Sequence, residues 1–354
     1  MKVGERGIRL ATYDEASTLL QRAREMLTSK EHVEQRLQID LLRGDIEAIR
    51  GSYTKAAEII EPVLEEVRAI GNLPLLAQTL GKLGRIAMWR QNLPLSMKYL
   101  EEAITISRNL GDESTLMFNL RQIGNALMEE EDGARSIHYL EESVAIARKL
   151  GDRVSEATGL NSLGNALMIS RRLDESRDAY VRAIEAHTAV GDRFGAAMAM
   201  GNLGGLYVNQ NDLDLGERYV QETLSVAKEL RVPALIMDVQ STLAAIHLRR
   251  GRDREAHALL KEIVRAAREV GLPPKIYPLF HGVIRIRAGD RAKGLAWIGY
   301  SRAHSPKFEV KTLMRWVADT IRGNDSEEDL ERALKAGEGL NLEEILEEAE
   351  RLAP

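Results

Sequence analysis

Residues 152–191 read DRVSEATGLNSLGNALMISRRLDESRDAYVRAIEAHTAVG. The segment VSEATGLNSLGNALMIS carries apolar residues at helical spacing, RRLDE interrupts it with Leu173 turned inward, and SRDAYVRAIEAHTAV resumes it. The second helix stops at Gly191. Glycine suits the left-handed residue after a helix end because it has no Cβ to clash. Asp192 follows at once, and an Asp there accepts backbone N–H groups and opens the next helix. Asp112 and Asp152 stand in the same relation to Gly111 and Gly151.

Working outward, the unit repeats every 40 residues. Apolar-Gly steps fall at Ile70-Gly71, Leu110-Gly111, Leu150-Gly151, Val190-Gly191 and Val270-Gly271, with Leu230-Arg231 filling the gap. A second marker, Leu83-Gly84, Ile123-Gly124, Leu163-Gly164 and Leu203-Gly204, continues as Leu243-Ala244 in the same register. A third is a small residue in the second helix: Ala16, Ala56, Ser96, Ser136, Ser176, Gly216 and Ala256. Three markers in one register predict stacked two-helix units. Gly84 and its equivalents are expected to face the partner helix and let two backbones approach.

The spacing of Leu160, Leu163, Gly164, Leu167, Leu173, Ser176, Tyr180 and Ala183 resembles the tetratricopeptide repeat. The 40-residue period is similar to that of kinesin light chains, Gα-binding adaptors and bacterial regulators of the MalT and signal-transduction-ATPase type. The resemblance covers residues 9–287. It implies an all-α chain: a right-handed α-solenoid of about seven two-helix repeats with a C-terminal helical cap, divided as solenoid 1–287 and capping helices 288–354. The chain starts inside a repeat, with residues 13–29 read as a second helix whose first is nearly absent. Toward the other end Pro273, Pro274 and Pro278 interrupt the register. A last pair is expected over 281–287 and 291–301, with further helices over 308–322 and 326–352. Ser326 with Asp329, and Asn341, provide capping starts. GLAWIGYSRAHSP followed by ERALKAGEGLNLEEIL also resembles the C-terminal ends of bacterial multidomain regulators that join an ATPase or cyclase to such repeats.

Composition bounds the function classes. Hydrophobic residues make up 44% of the 354-residue chain and aromatics 5%, with Ala, Leu, Glu and Arg dominant, which favours helices throughout. A formal net charge of -5 does not mark a nucleic-acid partner. The absence of Cys excludes disulfides and thiolate metal sites. Residues 1–10 lack the apolar stretch of a signal peptide, and no run approaches a membrane span, so a cytoplasmic location is expected.

The chain lacks a phosphate-cradling GxxxxGK[ST] loop and an HExxH pair. His247 and His257 lie on different helices of one unit and read as packed or surface residues. The acidic run Glu129, Glu130, Glu131 and Asp132 reads as a solvated loop. Arg249, Arg250, Arg252 and Arg254 read either as a turn neutralised by Asp253 and Glu255 or as a contact for an acidic partner. No cofactor, metal or catalytic residue is expected, and the chain is read as a non-enzyme.

In such solenoids the first helix of each pair lines the concave side. One row there holds Arg121, Asn161, Gly201 and Ser241, and the row four residues on holds Arg85, Asn125, Asn165, Gly205 and Ala245. Asn125 and Asn165 occupy equivalent sites. Asn is a poor helix former that both donates and accepts, so these residues either clamp the backbone of an extended peptide or bond between neighbouring helices. In kinesin light chains and heat-shock adaptors, groove Asn residues clamp peptide. The adaptors' full carboxylate clamp is not in place here. The predicted peptide-binding set is Lys82, Arg85, Arg121, Asn125, Asn161, Asn165 and Asn202. Met88, Met128 and Met168 fill either core gaps or an adaptable surface. Gly195, Gly201, Gly204 and Gly205 are expected to widen the groove. The expectation is therefore a peptide- or protein-binding module, the sensor or scaffold arm of a bacterial regulator. The alternative is a ligand-sensing domain that controls an ATPase or a DNA-binding regulator. No membrane contact and no direct nucleic-acid contact is expected, while the N-terminal half-repeat offers a route to self-association.

Overall fold

The computed structural model describes residues 13–27, 29–130, 132–269, 277–305, 314, 317, 321 and 325–351. They are helical with short turns, and no strand occurs among them. They fall into two compact units, residues 1–152 and 153–354. The expected 287/288 boundary lies inside the second of these.

The first unit opens with α1 (Tyr13–Met26) and continues as the pairs α2 (Val33–Ile49) and α3 (Tyr53–Ile70), α4 (Leu73–Trp89) and α5 (Leu93–Leu110), α6 (Glu113–Glu129) and α7 (Gly133–Leu150). The second holds α8 (Arg153–Ile169) and α9 (Leu173–Ala189), α10 (Arg193–Asn209) and α11 (Leu213–Glu229), α12 (Pro233–Arg249) and α13 (Asp253–Glu269), then α14 (Tyr277–Arg287) and α15 (Arg291–His304). Two short helices, α16 (Glu327–Lys335) and α17 (Leu342–Glu350), follow. First helices therefore begin at 33, 73, 113, 153, 193 and 233, in the 40-residue register.

The helix ends are set by the residues that marked the period. Gly71, Gly111, Gly151 and Gly191 are left-handed, with φ of 70°, 66°, 68° and 72°. Asp112 and Asp192 accept from the backbone N–H of Thr115 and Gly195 at 3.0 Å each. The Val270-Gly271 step, Pro273, Pro274, Glu131 and most of the expected 308–322 helix lie outside the described residues.

Where Arg231 replaces glycine, it takes the left-handed conformation itself, at φ 54°. That conformation costs an L-residue roughly 1–2 kcal/mol, part of which glycine would return as entropy of the unfolded chain. Arg231→Gly is therefore expected to stabilise the second unit by about 1 kcal/mol. Urea unfolding would show it, and an unchanged midpoint would contradict it.

The turn inside five of the pairs has a second left-handed site that the markers did not reveal. It is occupied by Gly51, Gln91, Arg171, Asn211 and Gly251.

Within the pairs α4/α5, α6/α7 and α8/α9 the two helices touch through glycine. A Cβ at Gly84, Gly124 or Gly164 would lie 2.6, 2.6 and 2.5 Å from atoms of Leu100, Leu140 and Tyr180. The hydroxyls of Ser96, Ser136 and Ser176 donate to the carbonyl oxygens of Gly84, Gly124 and Gly164 at 2.8, 2.7 and 2.8 Å. The small second-helix residue is thus also a hydrogen-bond donor to the glycine opposite. A mid-helix glycine costs about 1 kcal/mol. Burying a leucine over it returns roughly 2 kcal/mol, so the close approach is net favourable. Met88 and Met128 are buried, and Met168 packs beside Tyr180, Leu203 and Leu206, so these methionines belong to the core.

At the end of the second unit, α14 begins at Tyr277, four residues before the expected start. Pro278 does not interrupt it, because a proline in the first turn lacks only an N–H that has no helical partner there. Ser326 accepts from the N–H of Asp329 at 3.1 Å, and Asn341 accepts from Glu343 at 2.9 Å, as the capping signals implied. Gly299 on α15 and Gly337 after α16 let the two chain segments touch backbone to backbone.

Candidate functional site

In the second unit the first helices α8, α10 and α12 present a stripe of side chains at i, i+4, i+7 or i+8, and i+11. On α8 it holds Val154, Thr158, Asn161 and Asn165. On α10 it holds Phe194, Met198, Gly201, Asn202 and Gly205. On α12 it holds Ala234, Asp238, Ser241 and Ala245. One end is apolar and open, with Val154 49%, Phe194 43% and Met198 38% exposed. The other end carries amides.

Those amides are positioned by neighbours. The buried Tyr180 of α9 donates its hydroxyl to Asn165 Oδ1 at 2.5 Å. Burial pushes the Tyr180 phenol up, so it remains a donor at every accessible pH. Asn202 Nδ2 donates to Asn161 Oδ1 at 2.9 Å across adjacent first helices. Each of these three asparagines bonds within the fold, and each keeps an amide group over. Asn165 Nδ2, Asn161 Nδ2 and Asn202 Oδ1 make no further hydrogen bond with the described residues.

The four glycines separate. A Cβ at Gly195 would lie 2.2 Å from His187 Nδ1, and one at Gly204 would lie 2.7 Å from Val220. Both are packing glycines, which corrects the expectation that they widen the groove. Gly201 is tight only against the Thr223 methyl at 3.3 Å. Gly205 faces nothing within 4 Å, so no contact inside the fold accounts for it. Ser241 turns back to the carbonyl of Met237 at 2.7 Å.

The first unit holds the cationic members of the predicted set. Asp45 of α2 accepts from both Lys82 and Arg85 of α4, the Arg85 contact being 2.6 Å. Asp45 stands 40 residues before Arg85, in the same register row, so this pairing was readable from the repeat. The Arg85 and Arg121 guanidinium carbons lie 6.0 and 5.5 Å from the centroid of the Phe118 ring. Burial, with a smaller contribution from Arg85, lowers the Arg121 pKa to about 10. Asn125 Oδ1 and Arg85 Nε are buried without a hydrogen-bond partner.

Other candidates resolve into structure. Arg250 pairs with Asp214 and Glu217 of α11, and Asp253 is taken by Arg287 at 2.6 Å. Arg250 is therefore neutralised from α11 rather than by Asp253. Asp132 caps α7 through Arg135 N–H at 3.1 Å. His257 meets His281 edge to face at 5.5 Å in the core. Among the described residues no three His, Asp or Glu converge as metal ligands, and no helix is long and apolar enough to cross a membrane.

Residues 155–229 match the tetratricopeptide repeat family model. No protein of curated function matches the sequence. Among solved structures, a Rap protein complexed with competence and sporulation factor is 13% identical, with a TM-score of 0.72 over 98% of this chain and 97% of that one. The Rap conjugation regulator of plasmid pLS20, in complex with the Phr* peptide, is 14% identical, with a TM-score of 0.62 over 98% and 96%. A signal transduction ATPase from Pyrococcus horikoshii with a tetratricopeptide repeat sensor is 16% identical, with a TM-score of 0.54 over 86% of this chain and 45% of that one. At these identities the likeness establishes the fold: an all-α stack of tetratricopeptide-like helix pairs.

Proposed function

We propose that this chain of tetratricopeptide-like repeats is a non-catalytic module that binds an extended peptide segment along α8, α10 and α12. The observation that carries the proposal is the set of amide groups left over on Asn161, Asn165 and Asn202. They are held in place by Tyr180 and by each other, beside a glycine that nothing in the fold requires. A main chain offers alternating donors and acceptors, and an asparagine side chain complements both. Open Val154, Phe194 and Met198 would take an apolar side chain of the same segment. One solved structure of the same fold is in complex with the Phr* peptide and another with competence and sporulation factor, which supports the reading.

Screening an immobilised random 12-residue peptide library against the wild type and against the Asn161→Ala/Asn165→Ala/Asn202→Ala variant tests it. Each lost hydrogen bond is worth about 1 kcal/mol, so the triple variant is expected to bind wild-type hits roughly 100-fold more weakly. Identical hit sets and affinities would refute the proposal.

A second reading is a sensor arm of a larger regulator. It is favoured by the fact that this chain corresponds to 45% of a repeat-bearing signal transduction ATPase. Co-purification with an ATPase that loses its regulation when the triple variant is substituted would select it over a free-standing scaffold.

A further inference from the structure

We infer that the second unit carries a docking pocket for an arginine side chain of a partner protein segment, between α9, α10 and α11. In a repeat chain every position has its equivalents 40 residues away, so a local departure from the pattern stands out. One row reads Arg68, Arg108, Arg148, Thr188, Lys228 and Arg268. Thr188 is its one neutral member. In the first unit this row forms a ladder: Arg68 pairs with Glu102 at 3.0 Å and Arg108 with Glu142 at 2.7 Å. The same register sets Thr188 opposite Glu222, so a hydroxyl stands where the ladder cation of Glu222 would be.

Two further departures fall at the same place. Val181 is 38% exposed in a row that holds the exposed glutamates Glu61, Glu101 and Glu141 elsewhere. Met200 is half-buried where Leu80, Leu120 and Leu160 are buried. Val181, Ile184, Met200 and Tyr219 line a cavity of about 250 Å³ together with Glu185 and Glu222. Tyr219 is steadied by stacking on Tyr207, with ring centroids 5.5 Å apart. Neither glutamate makes a hydrogen bond or ion pair among the described residues. Arg182 and Arg218, each one turn away on the same helix, do not take them, and Arg218 lies over the Tyr219 ring at 5.3 Å instead.

This chemistry selects the occupant. Small-molecule sites usually span roughly 300–1,000 Å³, so the smaller cavity suits a single side chain. An apolar lining with two free carboxylates calls for an apolar stem that ends in a cation, and arginine and lysine both have one. A guanidinium donates to two carboxylates at once and is less strongly hydrated than an ammonium, which favours arginine. The pairs of Arg68 with Glu102 and Arg108 with Glu142 are the same contact made within the chain. An exposed pair along one helix is worth little, so Arg182 and Arg218 compete weakly. The pocket uses second helices and residues of α10 outside the asparagine stripe, so it stands apart from the peptide site proposed above.

The test is an NMR titration of the whole protein, with labelled methionine methyl groups, against the N-acetylated, C-amidated tripeptide Leu-Arg-Leu. The comparison probes are the same tripeptide with citrulline or lysine at its centre, and methylguanidinium. Leu-Arg-Leu is expected to shift the Met200 methyl saturably, to leave Met88 and Met128 unmoved, and to bind more weakly as salt rises. The citrulline peptide keeps the shape and loses the charge, so it should bind about tenfold more weakly. Glu222→Gln, at an exposed position, should weaken Leu-Arg-Leu by about the same factor. Thr188→Arg restores the ladder cation beside Glu222 and should also weaken binding about tenfold. Glu142→Gln, which breaks a ladder pair of the first unit, should leave the affinity unchanged. A Met200 methyl unmoved by Leu-Arg-Leu would overturn the inference, as would wild-type affinity in Glu222→Gln or in Thr188→Arg. Equal binding of the citrulline peptide would overturn the role of charge, and equal binding of the lysine peptide would overturn the choice of arginine. Methylguanidinium binding as tightly as the tripeptide would overturn the protein source in favour of a small cation.

Discussion

Gly299→Ala is expected to detach α16 and α17 from the end of the second unit. A Cβ at Gly299 would lie 1.8 Å from the carbonyl oxygen of Leu334, and one at Gly337 would lie 1.7 Å from the carbonyl oxygen of Ala296. Both clashes are with backbone, so no rotamer change relieves them. The helices must move apart. Separation would expose Leu334, Leu346 and Val317, now buried in one cluster with Leu295, Ile298 and Phe280. Overpacking of this kind costs about 3 kcal/mol. The pair of reciprocal glycines means that either substitution alone produces the effect, while the double variant adds little to it. Urea unfolding gives the magnitude, and faster proteolytic removal of the last 30 or so residues gives the location. A Gly299→Ala protein with wild-type midpoint and wild-type proteolysis would show that the backbones are not in contact.

The second large effect is at Tyr180. Its ring fills the space that Gly164 leaves open, is fully buried, and hydrogen-bonds to Asn165. Tyr180→Ala removes the ring beside a glycine that cannot fill the gap, and is expected to cost about 4 kcal/mol. Tyr180→Phe keeps the packing and loses only the hydroxyl bond, for about 1 kcal/mol. The two variants separate fold from site. Tyr180→Phe frees Asn165 to rotate, so it should weaken peptide binding several-fold while leaving the unfolding transition nearly in place. If Tyr180→Phe bound peptide as well as the wild type, Asn165 would not depend on Tyr180 for its orientation. If Tyr180→Ala unfolded at the wild-type midpoint, the ring would not be part of the core.

The fold was legible because its markers are backbone requirements. Gly111 and Gly191 are left-handed and Asp112 and Asp192 cap the next helices, so residue type and conformation coincide. The second left-handed site was not legible, because Gln91, Arg171 and Asn211 adopt it without being glycine. Glycines on α10 look alike in sequence, yet Gly195 and Gly204 pack against side chains while Gly205 faces open space. Only three-dimensional neighbours distinguish them. Asn165 was found by its 40-residue spacing from Asn125, and Asn161 by its place in the neighbouring row. Their anchors were not: the Tyr180 hydroxyl reaches Asn165 from the partner helix, and Asn202 reaches Asn161 from the next repeat. Asp45 is the exception, since its register with Arg85 could have placed it.

The most direct test of the central claim is the NMR spectrum of the asparagine side-chain amides, with selective labelling, during titration with a peptide selected from the random library. The account predicts that the amides of Asn161, Asn165 and Asn202 shift on binding, while those of the helix-capping Asn72 and Asn92 do not. Saturable binding that leaves the first three unmoved would contradict it.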